Sequence, residues 1–75
     1  MCFEIGKEYF YYFQSAKGHK FGPLRIVKRT KKSIWYVAGS DEPIRRKIYH
    51  ILHVELFFVM GETGIVPSDG VPDFV

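Results

Sequence analysis

Apolar and polar residues alternate through the middle of the chain with the period of two that is typical of β-strands. The clearest stretches are residues 24–29, 33–38 and 44–49. Ahead of them, residues 7–13 are dominated by aromatic side chains, which strands favour. Glycine, proline and short polar stretches separate these segments and indicate turns. The pattern therefore predicts an all-β domain.

Residues 43–60 fit a helix as well as they fit strands. Ile44, Ile48 and the aliphatic residues that follow recur at helical spacing, Pro43 suits a first helical turn, and Gly61 could end the helix. Aromatic and β-branched residues in this stretch favour strands, but no obvious turn falls near His50. From periodicity alone, a three-stranded sheet packed by one helix over residues 43–60 remains the alternative.

Because side chains alternate between the two faces of a strand, the parity of the residue number divides residues 24–49 into an even and an odd face. This division assumes that Arg29 lies opposite Ser33 and that Ala38 lies opposite Ile44. Even positions are mostly apolar, whereas odd positions carry basic and aromatic side chains. A slip of one residue would mix the two sets, so the pattern supports this register. The predicted core is Leu24, Ile26, Ile34, Tyr36 and Ile48. The predicted exposed binding face is Arg25, Arg29, Trp35, Arg45, Lys47 and Tyr49.

Charge is divided unevenly along the 75 residues, whose formal net charge is +3. Residues 17–47 hold ten Lys or Arg and two acids, a net +8, whereas the rest holds one base and six acids, a net −5. A basic centre between acidic ends indicates either two solvated faces or a surface that binds polyanions. The hydrophobic content of 47% excludes a disordered chain.

The sequence lacks the features of secretion and membrane insertion. Cys2 is the only cysteine, which excludes an intramolecular disulfide and a four-cysteine zinc site. The first residues lack the long apolar run of a signal peptide, and the longest apolar run, residues 56–60, is too short to span a bilayer. We therefore expect a soluble cytoplasmic protein without a membrane partner.

Residue types for catalysis or metal binding are present but are not arranged in a recognisable motif. Cys2, His19, His50 and His53 are scattered along the chain, whereas zinc needs four ligands that converge. No nucleophile stands beside a base in a known pattern, and there is no glycine-rich phosphate loop. We expect no enzymatic activity, no cofactor, no metal and no small-molecule substrate.

The segments FEIGKEYFY, RIVKRTKKSIWYV, IRRKIY and VELFFVMG together resemble small proteins of phage and mobile elements that share a VxKRTxKxV…RRKI pattern. The matching residues are Gly6, Lys7, Tyr9, Lys28, Arg29, Thr30, Lys32, Ile34, Arg45, Arg46, Lys47 and Ile48. The resemblance implies an SH3-like small barrel of about five antiparallel strands, and it favours strands over residues 43–60. The chain departs from the pattern at HILHVE, where a polar turn would be expected. We expect one barrel domain over residues 1–66 and a tail over residues 67–75.

The basic and aromatic odd face is the best candidate for function. Lys and Arg pair with phosphates, and Trp and Tyr offer stacking surfaces, a combination that single-stranded nucleic acid requires. The same residue types dominate protein–protein hot spots, so a protein-interaction module is the second hypothesis. The resemblance to phage proteins extends this to an inhibitor of a host factor. A solvated face with Trp35 covered by the tail is the third reading.

Overall fold

The computed structural model describes residues 2–13 and 20–70, and it places them in one antiparallel sheet of seven short strands. The strands are β1 (Glu8–Phe13), β2 (Lys20–Arg29), β3 (Ser33–Val37), β4 (Ile44–Lys47), β5 (Tyr49–Ile51), β6 (Val54–Val59) and β7 (Gly64–Pro67). Their spatial order is β4-β3-β2-β1-β7-β6-β5. Because β4 and β5 are separated in the chain only by Ile48, the two edges of the sheet meet in a nearly closed barrel. The prediction of an all-β, SH3-like small barrel is confirmed, with seven short strands where about five were expected.

Residues 43–60 form strands, so the alternative with a helix is wrong. A turn centred on Leu52 and His53 joins β5 to β6, with Ile51 opposite Val54. Leu52 has a φ of 57°, in the left-handed region that glycine and asparagine usually occupy in such turns. The turn therefore carried no signal in the sequence. The described part of the chain contains no helix that is long and apolar enough to span a bilayer.

The barrel interior contains all five of the core residues that parity predicted. Ile26 and Ile34 are 0% exposed, and the other three are also buried. The remaining core comes from the N-terminal segment, β1, β6 and β7: Phe3, Tyr9, Leu56, Phe57, Val59, Ile65 and Val66. Apolar burial of this kind is the main force that stabilises a domain of this size.

Aromatic rings connect the N-terminal segment to the sheet. The Phe3 ring packs edge-on against Tyr9 with centroids 4.9 Å apart, and it lies 5.1 Å from Phe57. Tyr36 stacks on the other side of this group, 5.3 Å from Phe57. Phe3 therefore anchors the N-terminal segment in the barrel, and the Gly6 amide holds it to β2 by donating to the Ile26 carbonyl at 2.7 Å.

The register of β2 against β3 changes at a β-bulge between Ile26 and Lys28. Before the bulge Ile26 lies opposite Tyr36, as parity predicted, and after it Lys28 lies opposite Trp35. A bulge adds one residue to one strand, so the residues that follow it exchange faces. Lys28 was assigned to the core face, and the structure places it outside, exposed and beside Trp35.

The same bulge turns Arg29 toward the interior. Arg29 lies opposite Ile34, a fully buried residue, and not opposite Ser33 as predicted. Its side chain is 21% exposed and reaches the buried carboxylate of Glu55. The prediction that Arg29 belongs to the exposed binding face is therefore wrong.

The register of β3 against β4 differs from the prediction by two residues, because Ile44 lies opposite Tyr36 and not opposite Ala38. Since side chains alternate with a period of two, a shift of two leaves every residue on its predicted face. Arg45 and Lys47 accordingly lie outside and are exposed.

The barrel includes the first two residues of the segment 67–75, which was predicted to be a tail. Pro67 is the last residue of β7, and Ser68 is buried at the end of that strand. The Ser68 amide donates to the Glu55 carbonyl at 2.8 Å, and the Glu55 amide donates to Ser68 Oγ at 3.1 Å. The predicted tail residues 71–75 lie outside the described part of the chain.

Candidate functional site

Three adjacent strands place two cations around one indole on the outer surface of the barrel. Trp35 on β3 lies directly opposite Lys28 on β2 and directly opposite Arg45 on β4. Lys28 Nζ is 4.7 Å from the centroid of the indole, and Arg45 Cζ is 5.8 Å from it. Both distances fall within the range of attractive cation–π contacts. The half-buried indole therefore holds one cation from each neighbouring strand.

The turn between β2 and β3 is closed by two hydrogen bonds. The Thr30 amide donates to the Ser33 carbonyl at 2.8 Å, and the Ser33 amide donates to Thr30 Oγ1 at 3.2 Å. The Ile48 amide donates to the Lys32 carbonyl at 2.9 Å, which ties the turn to the junction of β4 and β5. The backbone that carries Lys32 is thus held on two sides.

A shallow groove lies between this turn and β4. It is lined by Lys32, Ser33, Arg45, Arg46 and Lys47. Ser33 lies directly opposite Lys47, and Arg45 Nη2 donates to Ser33 Oγ at 3.2 Å. Four cationic side chains and one hydroxyl therefore converge on this groove.

Arg46 reaches the groove although its strand position points inward, opposite Ile34. Its Nη1 donates to the carbonyl of Arg45 at 3.1 Å, so the side chain folds back along the edge of β4. Burial raises the pKa of Tyr36, and the nearby positive charge of Arg46 partly opposes that rise. Arg46 therefore contributes charge at the rim of the barrel.

Tyr49 extends this surface across the gap between β4 and β5. Lys47 Nζ lies 5.1 Å from the centroid of the Tyr49 ring, and the Phe58 ring packs edge-on against Tyr49 at 5.3 Å. Tyr49 is 39% exposed, which leaves more of its ring open to solvent than Trp35 leaves. We use "basic face" for the surface made of Lys28, Lys32, Ser33, Trp35, Arg45, Arg46, Lys47 and Tyr49.

The cations of the basic face form no ion pair with a described carboxylate, although Glu62 lines a small pocket beside Arg46, Lys47 and Tyr49. Within residues 2–13 and 20–70, ion pairs join Lys7 to Glu4, Arg29 to Glu55 and His50 to Glu55, and none involves this face. Several cations without ion-pair partners create a positive potential that attracts anions. The arrangement suits a ligand with repeated negative charges.

Arg25 is exposed but lies apart from this set of cations. It is opposite Val37 on β3 and opposite Glu8 on β1. The open groove beside it is also lined by Glu8 and Asp41, so its surroundings carry mixed charge. Of the six predicted site residues, the structure brings together Trp35, Arg45, Lys47 and Tyr49.

Arg29 instead completes a buried hydrogen-bond network. Its Nη1 and Nη2 donate to the two Glu55 carboxylate oxygens at 2.7 and 2.9 Å, and Nη1 also donates to the Phe3 carbonyl at 2.9 Å. The Phe3 amide donates to Glu55 Oε1 at 2.8 Å. Hydrogen bonds from Arg29 lower the pKa of Glu55 although burial alone would raise it, and Glu55 raises the pKa of Arg29 in return. This pair joins the N-terminal segment to the barrel.

The sequence did not place Lys28, Lys32 and Arg46 on the candidate face, and it placed Ser33 there without predicting it as a binding residue. Lys28 was missed because a bulge has no sequence signature here, and Lys32 because it was assigned to a turn. Lys32 could have been found from the sequence, because it directly precedes β3, a strand of the candidate face. Side chains at such a strand end lie beside the first residues of that face.

The described residues show no metal-binding cluster: in residues 2–13 and 20–70, no three His, Cys, Asp or Glu side chains are grouped so that they could hold an ion. His19, one of the candidate ligands, lies outside this part of the chain. Comparisons with protein-family models, with curated proteins and with solved structures gave no match. The resemblance to small phage proteins stays a prediction.

Proposed function

We propose that this protein is a small non-enzymatic binding module that contacts nucleic acid, mainly along the phosphate backbone, through its basic face. The observation that carries the proposal is the group of five cations, without ion pairs to the described carboxylates, on adjoining strands around Trp35. A nucleic-acid strand carries one negative charge per nucleotide, so it can neutralise several of these cations together.

The contacts of Trp35 favour recognition of the backbone over stacking of bases on this residue. Lys28 and Arg45 approach the indole from the strands on its two sides, and the ring is half-buried. A base would have to displace one of these cations in order to stack there. Tyr49, whose ring is more exposed, is the better stacking surface for an unpaired base. We therefore assign Trp35 the role of positioning two phosphate-binding side chains.

Binding to a fluorescently labelled single-stranded oligonucleotide, measured by anisotropy over a series of salt concentrations, tests this proposal. Affinity should fall steeply with salt, with a slope of roughly 0.7 in log–log form for each phosphate contacted. Lys28→Ala should weaken binding and reduce that slope by about one contact. The fluorescence of Trp35, the only tryptophan, should change on binding and report the site directly.

Lys20→Ala is a matched control for Lys28→Ala. Lys20 lies at the other end of the same strand, is exposed, and also contacts an aromatic ring, with its Nζ 4.6 Å from the Phe10 centroid. Both substitutions remove one charge and one cation–π contact. Equal losses of affinity in the two variants would show that net charge, not the basic face, drives binding. No binding to any oligonucleotide at low salt would refute the proposal.

A protein partner is the second candidate, and the exposed ring of Tyr49 beside the cations of β4 favours it. Tyrosine and arginine side chains dominate many protein–protein contacts, and Arg45, Arg46 and Lys47 would fit an acidic surface on the partner. One stoichiometric, nuclease-resistant protein in a pull-down would favour this candidate. Recovery of nucleic acid alone would favour the first.

A further inference from the structure

We infer that the groove between the β2–β3 turn and β4 is a defined seat for one phosphate group, held by Lys32, Ser33, Arg45 and Lys47. The inference rests on the proposed function only for the source of the phosphate, which we take to be a phosphodiester of the nucleic-acid backbone. The seat itself follows from the groove and its donors. It predicts saturable binding at one place, which a diffuse positive surface would not show.

The Ser33 hydroxyl gives the groove a fixed hydrogen-bonding group at its floor. Ser33 is 8% exposed and lines the groove, and its Oγ accepts a hydrogen bond from Arg45 Nη2 at 3.2 Å. A hydroxyl accepts and donates at the same time, so its own hydrogen can donate to an oxygen in the groove. An anion there would receive one hydrogen bond from Ser33 beside the charged donors of Arg45 and the lysines.

Hydrogen bonds within the fold hold the backbone around the seat. The Thr30–Ser33 hydrogen bonds close the turn, the Lys32 carbonyl is bound by the Ile48 amide, and Lys47 lies opposite Ser33 in the β3–β4 ladder. A site whose donors sit on fixed backbone loses less conformational entropy on binding.

The cations that line the groove repel one another, and this repulsion favours binding of an anion. Lys32, Arg45 and Lys47 line one groove, and none of them has an ion-pair partner among the described carboxylates. Like charges at short range raise the free energy of the folded state, and a bound anion relieves this. Binding to the folded state alone also stabilises it by mass action. Inorganic phosphate should therefore raise the unfolding temperature more than chloride does at the same ionic strength.

A titration of isotope-labelled protein with inorganic phosphate, followed by amide chemical shifts at constant ionic strength, tests the seat. We expect saturable shifts confined to Lys32, Ser33, Arg45, Lys47 and their chain neighbours. Ser33→Ala should weaken phosphate binding about tenfold, the order of magnitude of one hydrogen bond to a charged group. Lys32→Gln, which alters only an exposed turn side chain, repeats the test if Ser33→Ala weakens the fold. Lys20→Ala should bind phosphate as the native chain does.

Shifts that do not saturate, or that spread over all exposed lysines, would overturn the seat. Its failure and that of the proposed function can be told apart, because the same variants are also tested with the oligonucleotide. Phosphate binding without oligonucleotide binding supports the seat and refutes the proposed function. If the native chain does not bind inorganic phosphate, and Ser33→Ala binds the oligonucleotide as tightly as the native chain does, the seat is overturned and the proposed function stands.

Oligonucleotides with and without a 5′-phosphate distinguish the source of the phosphate. Equal affinities support an internal phosphodiester, and a preference for the phosphorylated end overturns that assignment.

Discussion

Removing the Arg29 guanidinium tests whether this side chain points inward to Glu55, where the sequence had predicted that it is exposed. In Arg29→Met, the Glu55 carboxylate would keep the Phe3 amide at 2.8 Å and the exposed His50 at 3.5 Å, but it would lose both hydrogen bonds from Arg29. Glu55 is only 4% exposed, so water replaces little of what is lost. The substitution leaves a buried charge without its main partner.

The expected cost is large for a domain of this size. Breaking a buried ion pair by removing one partner costs about 3–5 kcal/mol. The Arg29 side chain is 21% exposed, which allows some screening by solvent, so we expect about 3 kcal/mol. At roughly 0.05–0.15 kcal/mol per residue, this chain has a total stability on the order of 4–11 kcal/mol. The double variant Arg29→Met with Glu55→Leu should recover only part of the loss, since it removes the buried charge but leaves the Phe3 amide and carbonyl without their side-chain partners.

Urea unfolding at neutral and at acidic pH, followed by the fluorescence of Trp35, measures the effect. In the native chain Arg29 lowers the pKa of Glu55 below its ordinary value of 4.5, so the pair stabilises the fold above that value and ceases to do so as pH falls through the lowered pKa. In Arg29→Met, burial without the partner raises the pKa of Glu55, and the carboxyl can protonate. The difference in the free energy of unfolding between the two proteins should therefore be largest at neutral pH and shrink in acid.

Two results would refute this reasoning. If Arg29→Met changes the free energy of unfolding by less than about 0.5 kcal/mol, Arg29 behaves as an ordinary surface residue and the bulge is not where the structure places it. If the difference is large but independent of pH, lost packing of the arginine stem explains it and the Glu55 carboxylate does not.

Two further predictions concern the core and one turn. Ile34→Ala should cost about 2–5 kcal/mol, because Ile34 is 0% exposed in the barrel interior, whereas Lys47→Ala on the outer face of the neighbouring strand should cost under about 0.5 kcal/mol. Comparable losses in urea unfolding would contradict the assignment of faces. Leu52→Gly should raise the free energy of unfolding by about 0.5–1 kcal/mol, since Leu52 is 87% exposed and its φ of 57° suits glycine better than a branched side chain. A lower urea midpoint in that variant would show that the leucine side chain makes contacts that stabilise the turn.

The faces of the central strands were predictable because they depend on a period and not on exact pairing. The β3–β4 register was wrong by two residues, yet Arg45 and Lys47 still lie outside and Ile48 still lies in the core. A period of two makes the assignment insensitive to any even error. Four of the six predicted site residues therefore come together on the basic face.

The β5–β6 turn was not predictable, because its residues are not those that such turns usually require. Leu52 and His53 occupy the turn where Gly, Asn or Asp would have given a signal. Without a turn, the apolar residues of 44–59 could be read as one amphipathic helix. The strand-forming residues and the family resemblance favoured the correct fold, and neither of them located the turn.

The bulge in β2 was hidden because the two residues it exchanges are both basic. With Lys28 and Arg29 adjacent, an odd shift changes which of them faces inward but leaves the pattern of charged and apolar positions almost unaltered. Their side chains are nevertheless not equivalent in the places they occupy. The inward position binds both oxygens of Glu55, a geometry that the planar guanidinium satisfies with two parallel hydrogen bonds and an ammonium group does not. The outward position needs only one positive charge near an indole, which lysine supplies. The order of these two residues therefore agrees with the bulge, and exchanging them would weaken the ion pair without changing the net charge of the chain.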